Sequence, residues 1–73
     1  MEEKTDAEIG SIVLSTAHAR GKCLAVSKIE IGRGVDERDW EIKYVVRGSP
    51  CDDCDRELQR IVYDLKKLYL RKN

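Results

Sequence analysis

The stretch that decides the fold is WEIKYVVR at residues 40–47, in which apolar and charged side chains alternate. Alternation with a period of two is the pattern of a strand that has one face on a core and the other in solvent. The even-numbered positions are all apolar or aromatic, and we predict that they share the buried face: Trp40, Ile42, Tyr44 and Val46. The charged positions between them are predicted to face solvent.

A second strand is predicted at residues 22–31, before a polar stretch at residues 32–39. Its apolar positions change parity along the chain, being Leu24, Val26, Ile29 and Ile31. One face therefore cannot hold all of them, so that either a β-bulge interrupts the strand or both of its faces are covered. The polar stretch then joins the two strands as an antiparallel hairpin with a long loop.

An N-terminal helix is predicted from a capping box formed by Thr5 and Glu8. In this motif the threonine hydroxyl accepts from a first-turn amide, and the glutamate carboxylate accepts from the amide of the cap residue. Gly21 is the predicted stop signal, and Gly10 weakens the helix interior. The apolar face has a spacing of three and four residues: Ile9, Ile12, Val13, Thr16 and Ala17. A buried strand over residues 12–19 is the alternative, because this segment is rich in β-branched residues.

A C-terminal amphipathic helix is predicted after the Gly-Ser-Pro turn, capped by Asp52 or Asp53 and running to about Leu70. Its apolar stripe is expected to lie across the hairpin: Leu58, Ile61, Val62, Leu65, Leu68 and Tyr69. The fold class is therefore α+β, in the order helix, strand, strand, helix (α-β-β-α), within a single domain that spans residues 1–73.

The size of the chain implies a thin core. Hydrophobic residues make up 41% of the 73 residues, but there is no Phe and only one Trp. Burial in so short a domain barely exceeds its conformational entropy cost, and a metal, a disulfide or a partner subunit commonly adds the missing stability. Adjacent apolar pairs on the C-terminal helix would leave a seam for a second copy, so we expect a homodimer through that helix.

Charge and hydropathy exclude several classes of protein. Fourteen basic and fourteen acidic residues cancel, so no overall field favours nucleic acid or an anionic membrane. No apolar run approaches the roughly 20 residues that span a bilayer. The acidic start MEEKTDAE lacks the basic-then-apolar order of a secretory signal, and we expect a cytoplasmic protein.

The strongest candidate for a metal or redox site is the pair Cys51 and Cys54, which are separated by two aspartates at the start of the last predicted helix. Two thiols at this spacing can bind one ion, and Cys23 with His18 would complete a Cys₃His zinc site. This order, a ligand pair, a hairpin and a second pair on the first turn of a helix, is similar in outline to the treble-clef type of zinc module. A structural zinc would also supply the stability that the thin core lacks.

Two other interpretations of the cysteines remain open. Cys is often buried as a small hydrophobic residue, and one alternative is that the thiols and the histidine are ordinary packing and surface residues. The Cys51–Cys54 pair is alternatively a thiol redox motif, although Asp52 and Asp53 oppose a thiolate there.

The sequence contains no recognisable set of catalytic Ser, His and Asp residues and no glycine-rich phosphate loop, and we do not expect an enzyme. The sequence favours a small non-enzymatic protein-binding module, an adaptor, regulator or inhibitor of the kind found among bacterial or phage accessory factors. The alternative is a nucleic-acid-associated regulator that uses the basic C-terminal helix end, where five basic residues accompany one acid over residues 60–73.

Overall fold

The computed structural model describes residues 2–21, 23–48 and 52–72. Its elements in chain order are β1 (Glu2–Lys4), α1 (Asp6–Ala19), β2 (Val26–Arg33), β3 (Trp40–Arg47), α2 (Asp52–Leu65) and β4 (Tyr69–Arg71). The α+β class and the central order α-β-β-α are confirmed. Two short strands, one near each end of the described chain, were not predicted.

The helix α1 begins and ends where the sequence signals place it. The Thr5 amide donates to Glu8 Oε1 at 3.0 Å, and the Glu8 amide donates to the Thr5 hydroxyl at 3.2 Å, which completes the capping box. At the other end Gly21 has φ +72°, and its amide donates to the His18 carbonyl at 3.0 Å. The helix is confirmed and the alternative strand over residues 12–19 is wrong.

The capping box makes stability depend on pH. The hydrogen bond from the Thr5 amide, with smaller contributions from the Thr5 side chain and two lysines, lowers the pKa of Glu8 below its ordinary value of 4.5. A carboxylate with a lowered folded-state pKa stabilises the fold above the unfolded-state pKa, and this contribution is lost as pH falls through the folded value. We expect Glu8→Gln to be less stable than the parent at neutral pH and the difference to shrink below about pH 4.5. Urea unfolding at a series of pH values measures it, and a difference independent of pH would contradict the assignment.

The hairpin of β2 and β3 is antiparallel and contains two bulges. Val26 lies opposite Arg47 and Lys28 opposite Val46, which leaves Ser27 as the extra residue in β2. The bulge predicted in the first strand is therefore confirmed. Its effect is to move the apolar side chains of β2 onto the core face on both sides of the interruption.

The second bulge changes the predicted face of β3. Ile31 lies opposite Ile42 but Glu30 lies opposite Tyr44, so Lys43 is the extra residue. The strict alternation ends there, and Val45 packs against the core while Tyr44 is 59% exposed. Placing Tyr44 and Val46 on the buried face with Trp40 was wrong, because one inserted residue reverses the parity of all residues beyond it.

The N-terminal helix makes the main contact with the hairpin, and the C-terminal helix reaches the hairpin through the shared core. Helix α1 packs along β2, and α2 packs on α1. The core is one cluster built from both helices and both long strands: Ile9, Val13, Ala17, Cys23, Val26, Ile29, Ile31, Trp40, Cys54, Leu58 and Ile61. The predicted stripe of α2 enters this core through Leu58 and Ile61, but the sequence did not predict that α1 covers β2, since periodicity identifies an apolar face but not the element that covers it.

Gly10 explains how closely α1 approaches the sheet. A Cβ atom at this buried position would lie 2.6 Å from the carbonyl oxygen of Ile29 in β2. The glycine that weakens the helix by propensity is therefore the residue that lets the helix backbone rest on the strand backbone.

We expect Gly10→Ala to lower the free energy of unfolding by about 1 to 3 kcal/mol, because the added methyl group must push helix and strand apart. An exposed helix glycine would instead be stabilised by about 1 kcal/mol by the same change. Ser15→Ala, at an exposed position of α1, is the matched control and should change stability by less than about 0.5 kcal/mol. A more stable Gly10→Ala protein, measured by urea unfolding, would show that the close approach is absent.

The end of the chain forms a strand where a helix was predicted. Helix α2 ends at Leu65, a turn follows, and β4 pairs in parallel with β1. The predicted continuation to Leu70 was wrong. The segment is fixed by partners distant in sequence: Trp40 Nε1 donates to the Tyr69 carbonyl at 3.2 Å, and the guanidinium of Arg71 donates to both carboxylate oxygens of Asp6 at 2.8 and 3.0 Å.

Candidate functional site

Two of the three cysteines meet in the core. The sulfur atoms of Cys23 and Cys54 form a disulfide, with their Cα atoms 5.1 Å apart and each residue 2% exposed. Cys23 follows the turn after α1, and Cys54 lies in the first turn of α2. The bond therefore joins the start of the second helix to the junction between the first helix and the hairpin, across 31 positions of sequence.

The predicted zinc ligands are only partly brought together. Cys23 and Cys54 are adjacent, whereas Nε2 of the exposed His18 lies 2.8 Å from the Val26 carbonyl oxygen. Cys51 lies outside the described residues. Within residues 2–21, 23–48 and 52–72, no group of three or more His, Cys, Asp or Glu side chains is placed to hold a metal ion. The four-ligand site remains a prediction, as does the redox pair, because both include Cys51.

Two of the five basic residues over residues 60–73, Lys66 and Arg71, are paired with acids of the same chain, as is Arg38 in the hairpin loop. Arg38 contacts Glu3 at 2.7 Å, and Lys66 contacts Asp39 at 3.2 Å. Arg71 is held by Asp6, and this pairing raises its pKa above the ordinary value. These charges organise the fold, which reduces what they can offer to a phosphate backbone.

The hairpin loop at residues 34–39 is held by its own aspartates. Asp36 Oδ1 accepts from the amides of Arg38 and Asp39, each at 3.0 Å, and Asp39 Oδ2 accepts from the Val35 amide at 2.9 Å. The Val35 amide, followed by Lys66, lowers the pKa of Asp39 below its ordinary value. The loop leaves the Val35 side chain 91% exposed at the tip.

A concave surface lies between β3 and α2. This groove has a volume of about 640 Å³. Four apolar side chains, two from each element, line it: Ile42, Val45, Leu58 and Val62. The polar residues around them are Glu41, Asp55, Gln59 and Lys66. Leu58 is buried, while the other three apolar residues are half-buried, so they both support the core and remain accessible from the groove.

An unpaired strand edge adjoins this groove. In the described chain β3 pairs only with β2, in a sheet of two strands. The main-chain donors and acceptors on the outer edge of an edge strand are available to another strand. The groove and the edge together therefore offer apolar burial and main-chain hydrogen bonds on the same element.

Sequence reasoning found the groove residues but not the groove. Ile42, Leu58 and Val62 were assigned to buried faces, and Val45 was left out because it breaks the alternation. Only the bulge at Lys43, seen in the strand register, turns Val45 toward α2. The repeated Val45-Val46 pair was the one signal in the sequence that the alternation did not continue.

Comparisons with protein-family models, with curated proteins and with solved structures give no match. Among the described residues no helix has the length and apolar character needed to cross a membrane.

Proposed function

We propose that this protein is a protein-binding module that takes an extended segment of a partner chain along β3. The observation that carries the proposal is the groove of about 640 Å³ between β3 and α2, next to the open edge of β3. A strand added at this edge would satisfy main-chain groups over the eight residues of β3, and its alternate side chains would reach the groove.

The apolar part of the groove supplies affinity. Ile42, Val45 and Val62 are half-buried, so a partner side chain placed on them removes apolar surface from water at both molecules. Such burial contributes about 25 cal/mol per Å². These residues are fixed by the core beneath them, so little conformational freedom is lost when a partner binds.

The charged rim supplies selectivity. Asp55 is held by Arg47 at 2.7 Å, and Lys66 is held by Asp39 at 3.2 Å, so a carboxylate and an ammonium stand at defined positions around the groove. Glu41 adds a second carboxylate. A partner segment with opposite charges at matching positions would be favoured, and like charges would be rejected.

The proposal is tested with a peptide selected against the intact protein from a library of extended sequences. Val45→Glu places a charge in the groove, and we expect the affinity for the selected peptide to fall at least about tenfold, because the carboxylate must lose water to admit an apolar side chain. Isothermal titration calorimetry measures the affinity. Val35→Glu introduces the same charge at the exposed loop tip and is the matched control, with affinity expected within about twofold of the parent.

Amide chemical shifts identify the docking mode. Addition of the peptide should shift the signals of β3 and of the groove-lining part of α2 and leave those of β2 largely in place. Equal binding by Val45→Glu and the parent, or shifts confined to other elements, would reject the groove as the site. A homodimer through the C-terminal helix remains a separate proposal, which the mass of the native protein decides.

A further inference from the structure

A second surface is formed by a basic stripe along α2 and the turn that follows it. Arg56, Arg60, Tyr63 and Lys67 are spaced by four, three and four residues, which places them on one side of a helix. Lys67 Nζ lies 4.4 Å from the centre of the Tyr63 ring, so the last two members are in direct cation–π contact. We call these four residues the basic stripe.

The basic stripe borders a depression that reaches Arg20, the residue after the end of α1. This depression of about 550 Å³ is lined by Arg20, Arg56, Gln59, Arg60, Tyr63 and Asp64. Arg20 Nη1 contacts Glu57 at 2.6 Å, which holds this guanidinium at the edge of the depression. The Tyr63 side chain is 67% exposed and offers an aromatic ring between the charges.

Among the described residues, none forms an ion pair with the arginines of the basic stripe. Arg38, Arg47 and Arg71 each form an ion pair with an acid. Within the part of the chain that the structure describes, Arg56 and Arg60 form none. Two neighbouring guanidinium groups that each carry a free donor fork favour carboxylate or phosphate oxygens from outside.

We propose that the basic stripe docks an acidic helical segment of a partner protein. Arg56 and Tyr63 are seven residues apart within α2, which corresponds to about 10 Å along the helix axis, and Lys67 lies in the turn beyond its end. Glutamate or aspartate residues at the same spacing of three and four on a partner helix would meet both arginines and the lysine. The exposed Tyr63 ring would lie between them and pack on the partner's methylene groups.

Asp64 distinguishes a polypeptide from a nucleic acid. Its carboxylate lines the same depression as Arg56 and Arg60. A nucleic acid backbone carries a negative charge at every step, which this carboxylate repels, whereas a polypeptide can place a lysine or an amide donor against it. The net charge of zero also gives no long-range attraction for a polyanion.

The basic stripe does not depend on the groove along β3. Gln59 lines both depressions, so the two surfaces lie on adjoining sides of α2. One partner could engage both, but the stripe would bind an acidic helix through its own charges and spacing alone. A protein without a strand-binding groove could still bind an acidic helix here.

The test measures binding of a fluorescent, alanine-based helical peptide of about 18 residues with glutamates spaced by four, three and four positions. Fluorescence anisotropy at low ionic strength gives the dissociation constant. The double variant R56Q/R60Q should bind about tenfold or more weakly, because two charge-assisted hydrogen-bonded contacts are removed. The double variant K28Q/K43Q removes the same charge from the hairpin and should stay within about twofold. Circular dichroism confirms that both variants keep the fold.

Three results would overturn the proposal. The first is absence of binding by the parent protein, and the second is an equal loss in the two double variants, which would indicate only a general charge effect. The third is equal or tighter binding of oligothymidylate of the same charge, which would assign the stripe to single-stranded nucleic acid. Failure of this test leaves the groove proposal intact, since Val45→Glu and R56Q/R60Q change different surfaces.

Discussion

Reduction of the Cys23–Cys54 disulfide is expected to lower the free energy of unfolding by about 3 to 4 kcal/mol. The bond joins residues 31 positions apart, and a loop of that length removes this much conformational entropy from the unfolded chain in the loop-closure description. At about 0.05 to 0.15 kcal/mol per residue, 73 residues give a total of about 4 to 11 kcal/mol. The disulfide is thus expected to supply a large fraction of the total free energy of unfolding, and it adds to the small contribution of the thin core. Urea unfolding with and without reductant measures the difference.

Cysteine variants separate the bond from its alternatives. Cys23→Ser and Cys54→Ser should each lose about as much stability as reduction does, and Cys51→Ser, which keeps the bonded pair, should not. The intact mass of the protein prepared without reductant or chelator distinguishes the chemistry, because a disulfide lowers the mass by two hydrogens and a zinc site raises it by one metal ion. Stability insensitive to reductant, together with a bound zinc, would favour the Cys₃His site predicted from the sequence.

The same measurement bears on where the protein works. Structural disulfides persist in oxidising compartments and are rare in the cytosol. The cytoplasmic location remains a prediction, and the oxidation state of Cys23 and Cys54 in protein taken directly from its host tests it.

Trp40→Ala is expected to lower the free energy of unfolding by about 3 to 5 kcal/mol. Trp40 is 1% exposed and is the largest side chain in the core, so its removal leaves a cavity that the surroundings cannot fill. The indole also donates to the Tyr69 carbonyl at 3.2 Å, and it therefore anchors β4. Trp40→Phe keeps most of the ring but loses this donor, which should account for about 0.5 to 1.5 kcal/mol of the loss.

Tyr44→Ala is the matched control on the same strand. The alternation at residues 40–47 predicts that both aromatic residues share the buried face, whereas the bulge at Lys43 leaves Tyr44 exposed. We therefore expect Tyr44→Ala to cost less than about 0.5 kcal/mol in urea unfolding. Comparable losses from Trp40→Ala and Tyr44→Ala would show that the strand is regular and that Val45 does not face α2.

The sequence predicted what short-range patterns encode. Thr5 and Glu8 define the start of α1, and Gly21 its end, because a capping box and a left-handed glycine act within a few residues. The bulge in β2 was visible as a change of parity. The end of α2 was not predicted, because the apolar residues Leu68 and Tyr69 continue the helical spacing while their segment pairs with β1, more than sixty residues away.

The candidate sites also combine residues that the sequence predicted with arrangements that only the structure shows. The sequence identified the cysteines as candidate site residues and placed Cys23 and Cys54 in one site, but only the structure shows these two bonded to each other. The groove needs Val45 turned toward α2, and the basic stripe needs Arg56 and Arg60 to remain outside the ion pairs of the described residues. Both conditions depend on contacts between residues distant in the chain.

The sequence by itself determined the class of fold, the order of its main elements, the bounds of α1 and the position of the hairpin, because propensity, capping and periodicity act over one or two turns of chain. The tertiary structure decided which helix covers the sheet, which cysteines meet, how β3 changes face and which charges remain free. These features depend on where distant segments pack, and a local pattern of residues is compatible with more than one such arrangement.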